Sequence, residues 1–73
     1  MTRDEMLREL ERILEKPPGT FKGAERLADI SNWDSLAILT FITAADRLCS
    51  VRLKAEQILA CATVNDLLAL VRL

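Results

Sequence analysis

The chain has 73 residues, of which 51% are apolar, 29% charged and 4% aromatic. This is the composition of one small soluble domain and excludes both a disordered tail and a membrane protein. Ten Lys and Arg against eleven Asp and Glu leave a net charge of −1, without the basic surplus that nucleic-acid phosphates select. No histidine is present, which removes the usual general base, the commonest metal ligand and every Ser–His or Cys–His nucleophilic pair. No apolar run reaches the roughly 18–20 residues that span a bilayer, and the first helix-forming stretch carries charges of both signs, unlike a signal peptide. The expectation is a cytoplasmic monomer, not an enzyme, with no metal, no nucleic-acid partner and no membrane insertion. The starting Met1 and the short length favour a free-standing chain.

Residues 2–16 open with Thr2 and Glu5 at capping-box spacing and continue with Met6, Leu7, Leu10, Ile13 and Leu14 at helical intervals. The other face of this amphipathic helix carries Arg3, Asp4, Arg8, Glu9, Glu11, Arg12, Glu15 and Lys16 and reads as solvated. Pro17-Pro18-Gly19 is expected to end the helix. A long connection then runs to Trp33, with a turn or two of helix inside it and Phe21 and Trp33 as the pins that hold it to the rest of the molecule.

Asp34–Cys49 reads as the second helix, with Asp34 or Ser35 at its N-cap. On a helical wheel Ile38, Phe41, Ile42, Ala45, Leu48 and Cys49 form one stripe, the expected core face, and Leu36, Leu39, Thr40, Thr43 and Arg47 fall opposite. Ala55–Cys61 reads as a short third helix whose Ile58, Leu59 and Cys61 plug one side of the core. Thr63 and Asp66 cap a fourth element in which Val64, Leu67, Leu68, Leu70 and Val71 recur at helical spacing. Cys49 and Cys61, both inside apolar patterns and not in a CxxC, read as buried reduced thiols. The fold expected is an all-α four-helix bundle of three longer helices and one short one, with a long loop between the first and second, in a single domain spanning 1–73.

Ser35 stands where the long loop meets the amino end of a hydrophobic helix, so its hydroxyl is expected to be exposed beside unpaired backbone N–H groups that suit a phosphate. The run Trp33-Asp34-Ser35-Leu36, with Val51-Arg52-Leu53, Ile58-Leu59 and Thr63-Val64-Asn65-Asp66-Leu67 after it, resembles the acyl carrier protein family over essentially the whole chain. The resemblance implies that Ser35 carries 4'-phosphopantetheine, transferred from coenzyme A by a phosphopantetheinyl transferase. Acyl intermediates would then be held as thioesters on that arm and delivered to acyl-transferring and acyl-modifying enzymes. It implies that Asp34 binds Mg²⁺ with the transferase during loading, and that Leu36, Leu39, Thr40, Thr43 and Arg47 form the face presented to partners. It implies further that Phe41 and Ile38 line an acyl-chain cavity, for which plain core packing is the alternative.

Carriers of primary fatty acid synthesis usually place several carboxylates along the second helix, whereas Thr40 and Arg47 stand here at commonly acidic positions. Since charge complementarity sets partner choice, a carrier in a specialised lipid or secondary-metabolite pathway is expected. An aminoacyl, peptidyl or D-alanyl carrier would show the same serine. An unmodified helical adaptor using Leu36 and Leu39 is the alternative from another class.

Overall fold

Thr2 opens the first helix as its spacing from Glu5 predicts: the Thr2 hydroxyl accepts from the Glu5 amide, and the Glu5 carboxylate accepts from the Thr2 amide at 2.7 Å. In the computed structural model, which describes residues 1–73, this helix is α1 (Arg3–Ile13); α2 (Ser35–Cys49), α3 (Ala55–Leu59) and α4 (Val64–Leu70) follow. Their lengths of 11, 15, 5 and 7 residues make two longer helices and two short ones, rather than three and one. The chain is all-α, and none of its helices is long and apolar enough to cross a membrane.

α1 ends before the prolines rather than at them. Lys16 precedes Pro17 and is disfavoured from helical geometry, so the helix closes one turn earlier. Glu15 takes a left-handed conformation (φ 57°), and the amides of Glu15 and Lys16 donate to the carbonyls of Arg12 and Glu11 at 3.2 and 2.8 Å. This is the hydrogen-bond pattern of a Schellman motif, built here without glycine.

Glu11 does not belong to the solvated face of α1; it is 1% exposed. One carboxylate oxygen accepts from the Phe21 amide at 2.8 Å, and the other lies 2.6 Å from Nε of Arg8. The reason is periodicity: Leu7, Glu11 and Leu14 are spaced by four and three residues, which puts Glu11 on the apolar stripe. The return on this buried charge is the attachment of the long loop to α1.

α2 supplies the centre of the core. Ala37, Phe41, Ala44 and Ala45 are its buried residues, while Ile38, Ile42, Leu48 and Cys49 are only half-buried. The core face is thus rotated from the expected stripe toward Ala37–Phe41–Ala44. Small side chains let the helix axis approach its neighbours closely, and the larger isoleucines flank that contact. Phe41 joins Met6, Leu10, Ile58, Leu67 and Leu68 in one cluster drawn from all four helices.

The loop between α1 and α2 contains a single 3-10 turn, Leu27–Asp29. Phe21 and Leu27 are buried and Trp33 half-buried against the core, but polar ties hold the loop as firmly. The Leu27 amide donates to the Ala62 carbonyl, and the Val64 and Asn65 amides donate to the Glu25 and Gly23 carbonyls, so that Arg26 and Thr63 pair antiparallel where the loop crosses the start of α4. Gly23 has φ 126°, and a Cβ there would collide with the Asn65 side chain and the Arg3 guanidinium; only glycine fits.

The same crossing holds two carboxylates. Asp66 is kept below the ordinary carboxylate range by the Ala62 and Thr63 amides. Burial works against the charge of Glu25, but the Lys22 and Gly23 amides outweigh it and its pKa is also lowered. A depressed folded-state pKa contributes stability above the unfolded-state value and loses it as pH falls through the folded-state one. Acidification below the ordinary carboxylate range is therefore expected to open this crossing. A pH titration by NMR checks it: the Ala62, Thr63, Lys22 and Gly23 amides should shift together, below the ordinary carboxylate range.

α3 buries only Ile58, and Leu59, expected in the core, is 72% exposed, because five residues present a single apolar position to the interior. Thr63 and Asp66 form the expected capping box of α4. Both cysteines are free but half-buried rather than buried, since α3 ends two residues before Cys61 and Cys49 lies beside the α2 core stripe. Burial, and then the Asp66 charge, raise the Cys61 thiol pKa, which makes it a poor nucleophile.

Candidate functional site

Trp33, Asp34 and Ser35 mark the passage from loop to helix. The Trp33 amide donates to the Ile30 carbonyl, and Asn32 Nδ2 donates to the Leu14 carbonyl at 2.7 Å, fastening the end of the loop to the end of α1. Asp34, not Ser35, is the N-cap of α2: its Oδ1 accepts from the Ala37 amide at 3.0 Å. Ser35 is consequently the first helical residue. It is exposed, its hydroxyl makes no hydrogen bond within the chain, and the amides of Ser35 and Leu36 have no intrachain acceptor. A nucleophilic oxygen, two free donors and the positive end of a 15-residue helix dipole thus occupy one corner of the surface.

Around this corner the surface is apolar. Leu36 is 73% and Leu39 59% exposed, and Thr40 and Thr43 are exposed with their hydroxyls donating to the Leu36 and Leu39 carbonyls of their own helix. Those hydroxyl protons are spent inside the helix, leaving methyl groups as much of what the threonines offer. Arg47 is exposed but leans toward α1, 3.7 Å from Glu9, whose carboxyl is held low chiefly by Arg12 and also by Arg47. α2 packs against α1 and α3, and α3 adds the exposed Leu59, a residue that spacing alone assigns to the interior.

Three open grooves mark the surface. One of about 220 Å³ adjoins Ser35 and is lined by Ile13, Glu15, Asn32, Asp34, Leu36, Ala37 and Thr40. The largest, about 730 Å³, lies at the other end of α2, along Leu48–Arg52 and Val71–Leu73. Phe41 and Ile38 line none of them; Phe41 sits in close-packed core. Asn32 and Glu15 escape a reading built on apolar spacing, and the only sequence signal for Asn32 is a hydrogen-bonding side chain two residues before an N-cap.

What this arrangement defines is an all-α chain of four helices with an exposed serine on the first turn of its longest helix. No protein-family model, curated protein or solved structure matches this chain.

Asp34 can be tested apart from its cap. Asparagine caps helices as well as aspartate, whereas alanine does not. Asp34→Asn should therefore melt with the parent protein and Asp34→Ala should lose about 1 kcal/mol, measured by urea denaturation; equal losses in both would show that Asp34 does more in the fold than cap.

Proposed function

We propose that this chain is a carrier protein of the acyl carrier type: Ser35 takes a 4'-phosphopantetheine arm, and the domain presents the acyl groups bound to it to partner enzymes in the cytoplasm. The observation that carries the reading is the exposed, unbonded Ser35 hydroxyl on the first turn of α2, beside the resemblance of the sequence.

The residues fit the group. A phosphodiester at Ser35 would meet the free Ser35 and Leu36 amides and the helix dipole, both favourable to negative charge. Asp34 would repel it unless a cation stood between them, and no further His, Cys, Asp or Glu cluster is gathered there to complete a metal site. The resemblance implies that Asp34 would bind such a Mg²⁺ together with the transferase during loading. In loading, Ser35 Oγ forms a bond to the phosphorus bearing the pantetheine arm, the bond to 3',5'-ADP breaks, and the serine proton passes to a base on the transferase. Once attached, the arm supplies a thiol that holds cargo as a thioester. The chain supplies the attachment oxygen, the helix end that stabilises the phosphate and the Leu36–Leu39 surface that partners contact.

Between Asp34 and Asp46 the second helix carries no charge, and Arg47 is turned to Glu9. Partners that recognise carriers through basic patches would find little to bind, which supports service in a specialised lipid or polyketide-like pathway. The reading is tested by incubating the protein with coenzyme A, Mg²⁺ and a broad-specificity phosphopantetheinyl transferase and measuring intact mass. One arm per chain is expected, and none in Ser35→Ala; an unmodified parent protein would favour the adaptor.

A further inference from the structure

The largest groove lies where the ends of α2 and α4 meet, and Cys49 at its edge stands about 21 Å from Ser35 along the α2 axis at the helical rise per residue. Its lining is largely apolar: Val71 is buried, and Leu48, Val51 and Leu73 are half-buried. Arg52, from the chain that follows α2, and Arg72, from the chain that follows α4, are exposed at the same groove and take no part in the ion pairs of the chain. No Asp or Glu lines it, and the Met1 amine and the Leu73 carboxylate, where these end the chain, offset one another. The groove is therefore apolar and positively charged. Ser50 (φ 56°) and Arg72 (φ 65°) both take the left-handed conformation that side chains adopt at a cost to stability. Two of the chain's three such residues thus stand at this one place.

The backbone narrows the choice of occupant. The carbonyls of Leu48, Cys49, Ser50, Val51 and Arg52 accept no backbone hydrogen bond, and the Arg52 amide donates none. The first of these carbonyls belong to the negative end of the α2 dipole, which disfavours a bare anion and suits a ligand that brings hydrogen-bond donors together with its carboxylates. A fatty acid has the carboxylate and the apolar chain but no N–H; a peptide has all three. We propose that this groove docks a segment of a partner protein in which acidic side chains alternate with aliphatic ones. The aliphatic side chains cover Leu48, Val51, Val71 and Leu73, the carboxylates pair with the forked donors of Arg52 and Arg72, and amides of the segment donate to the free carbonyls after α2. The site lies away from Ser35 and does not rest on the carrier reading. Where Ser35 carries cargo, a partner held here keeps the chain tethered while the Ser35 end meets other enzymes.

The test titrates ¹⁵N-labelled full-length protein with a capped heptapeptide alternating leucine and aspartate, and in parallel with capped heptapeptides alternating leucine with lysine and serine with aspartate. The leucine–aspartate peptide should shift the amides of Ser50, Val51, Arg52, Arg72 and Leu73, leave those of Leu36 and Leu39 in place, and bind about tenfold more tightly than either control. Combining Arg52→Glu with Arg72→Glu turns two attractions into repulsions and should weaken binding about tenfold, without loss of fold at two exposed positions. If that variant melts early, Arg52→Gln with Arg72→Gln keeps side chains of similar reach and should weaken binding about threefold. Absence of shifts at the groove, an equal response to the lysine peptide, or undiminished binding by the arginine variants overturns the proposal. Decanoate that shifts the same amides and displaces the peptide overturns the choice of a peptide as occupant. Ser35→Ala should bind the peptide as the parent does, so failure to load an arm and failure to bind here are separate results.

Discussion

Phe41→Ala is expected to leave most of the protein unfolded at 37 °C. Phe41 is fully buried at the middle of α2 and packs in the cluster that joins Met6 and Leu10 of α1, Ile58 of α3 and Leu67 and Leu68 of α4. Truncating a buried phenylalanine costs about 3–5 kcal/mol, lost transfer energy and residual cavity together. Domains are stable by about 0.05–0.15 kcal/mol per residue, and a small one stands toward the lower end of the resulting total. The loss therefore matches or exceeds what the fold holds in reserve. Around Phe41 the α2 contact is made by Ala37, Ala44 and Ala45, which have no larger side chain to move into the void. Circular dichroism with urea titration checks this. Phe41→Leu should remain folded with a lowered midpoint, and a Phe41→Ala variant melting within a few degrees of the parent would show that α2 is not the centre of the core.

The second large effect is expected at Glu11. Glu11→Ala removes the acceptor of the buried Phe21 amide and the partner of Arg8, and a hydrogen bond to a charged group contributes about 1.5–3 kcal/mol. Glu11→Gln keeps a neutral acceptor for Phe21 and loses only the ion pair to Arg8, which is itself well exposed, so its loss should be about 1 kcal/mol or less. The two variants differ further in where they act. Glu11→Ala should raise hydrogen exchange at the Phe21 amide and along the loop toward Leu27, with the interior of α2 less affected, because Glu11 anchors the loop rather than the helices. Equal exchange in parent and variant would assign the loop's attachment to Phe21 and the crossing with α4 alone.

These two residues show what could be read from the chain and what could not. Elements with a local signal were legible: Thr2 and Glu5, and Thr63 and Asp66, each state a helix start within four residues, and the Asp34-Ser35 passage marks the start of α2. Exposure of Leu36 and Leu39 followed from wheel geometry. What failed depended on packing across the molecule. The α2 core face turned toward Ala37 and Ala44 because close approach to α1 and α3 suits alanine, and a pattern weighted by side-chain hydrophobicity points toward the isoleucines instead. The charge of Glu11 points it to solvent, although its position lies on the apolar stripe. The apolarity of Leu59 points it to the core, although a five-residue helix buries only Ile58. At the candidate site, Ser35 and Asp34 were legible as types in a pattern, but the division of labour between them, Asp34 capping and Ser35 left free, is a matter of hydrogen-bond geometry. Asn32 and the groove arise only where three separate segments meet.

Tryptic cleavage after Arg26 and Arg47 releases the peptide Leu27–Arg47, which contains four hydroxyl side chains, Ser31, Ser35, Thr40 and Thr43. Thr40 and Thr43 donate theirs to helix carbonyls, and Ser31 lies outside the helix end. Fragmentation of this peptide by tandem mass spectrometry after loading should place the whole of the added mass on Ser35. Added mass on Ser31, Thr40 or Thr43, or a peptide that stays unmodified under conditions that load other carriers, would contradict the account.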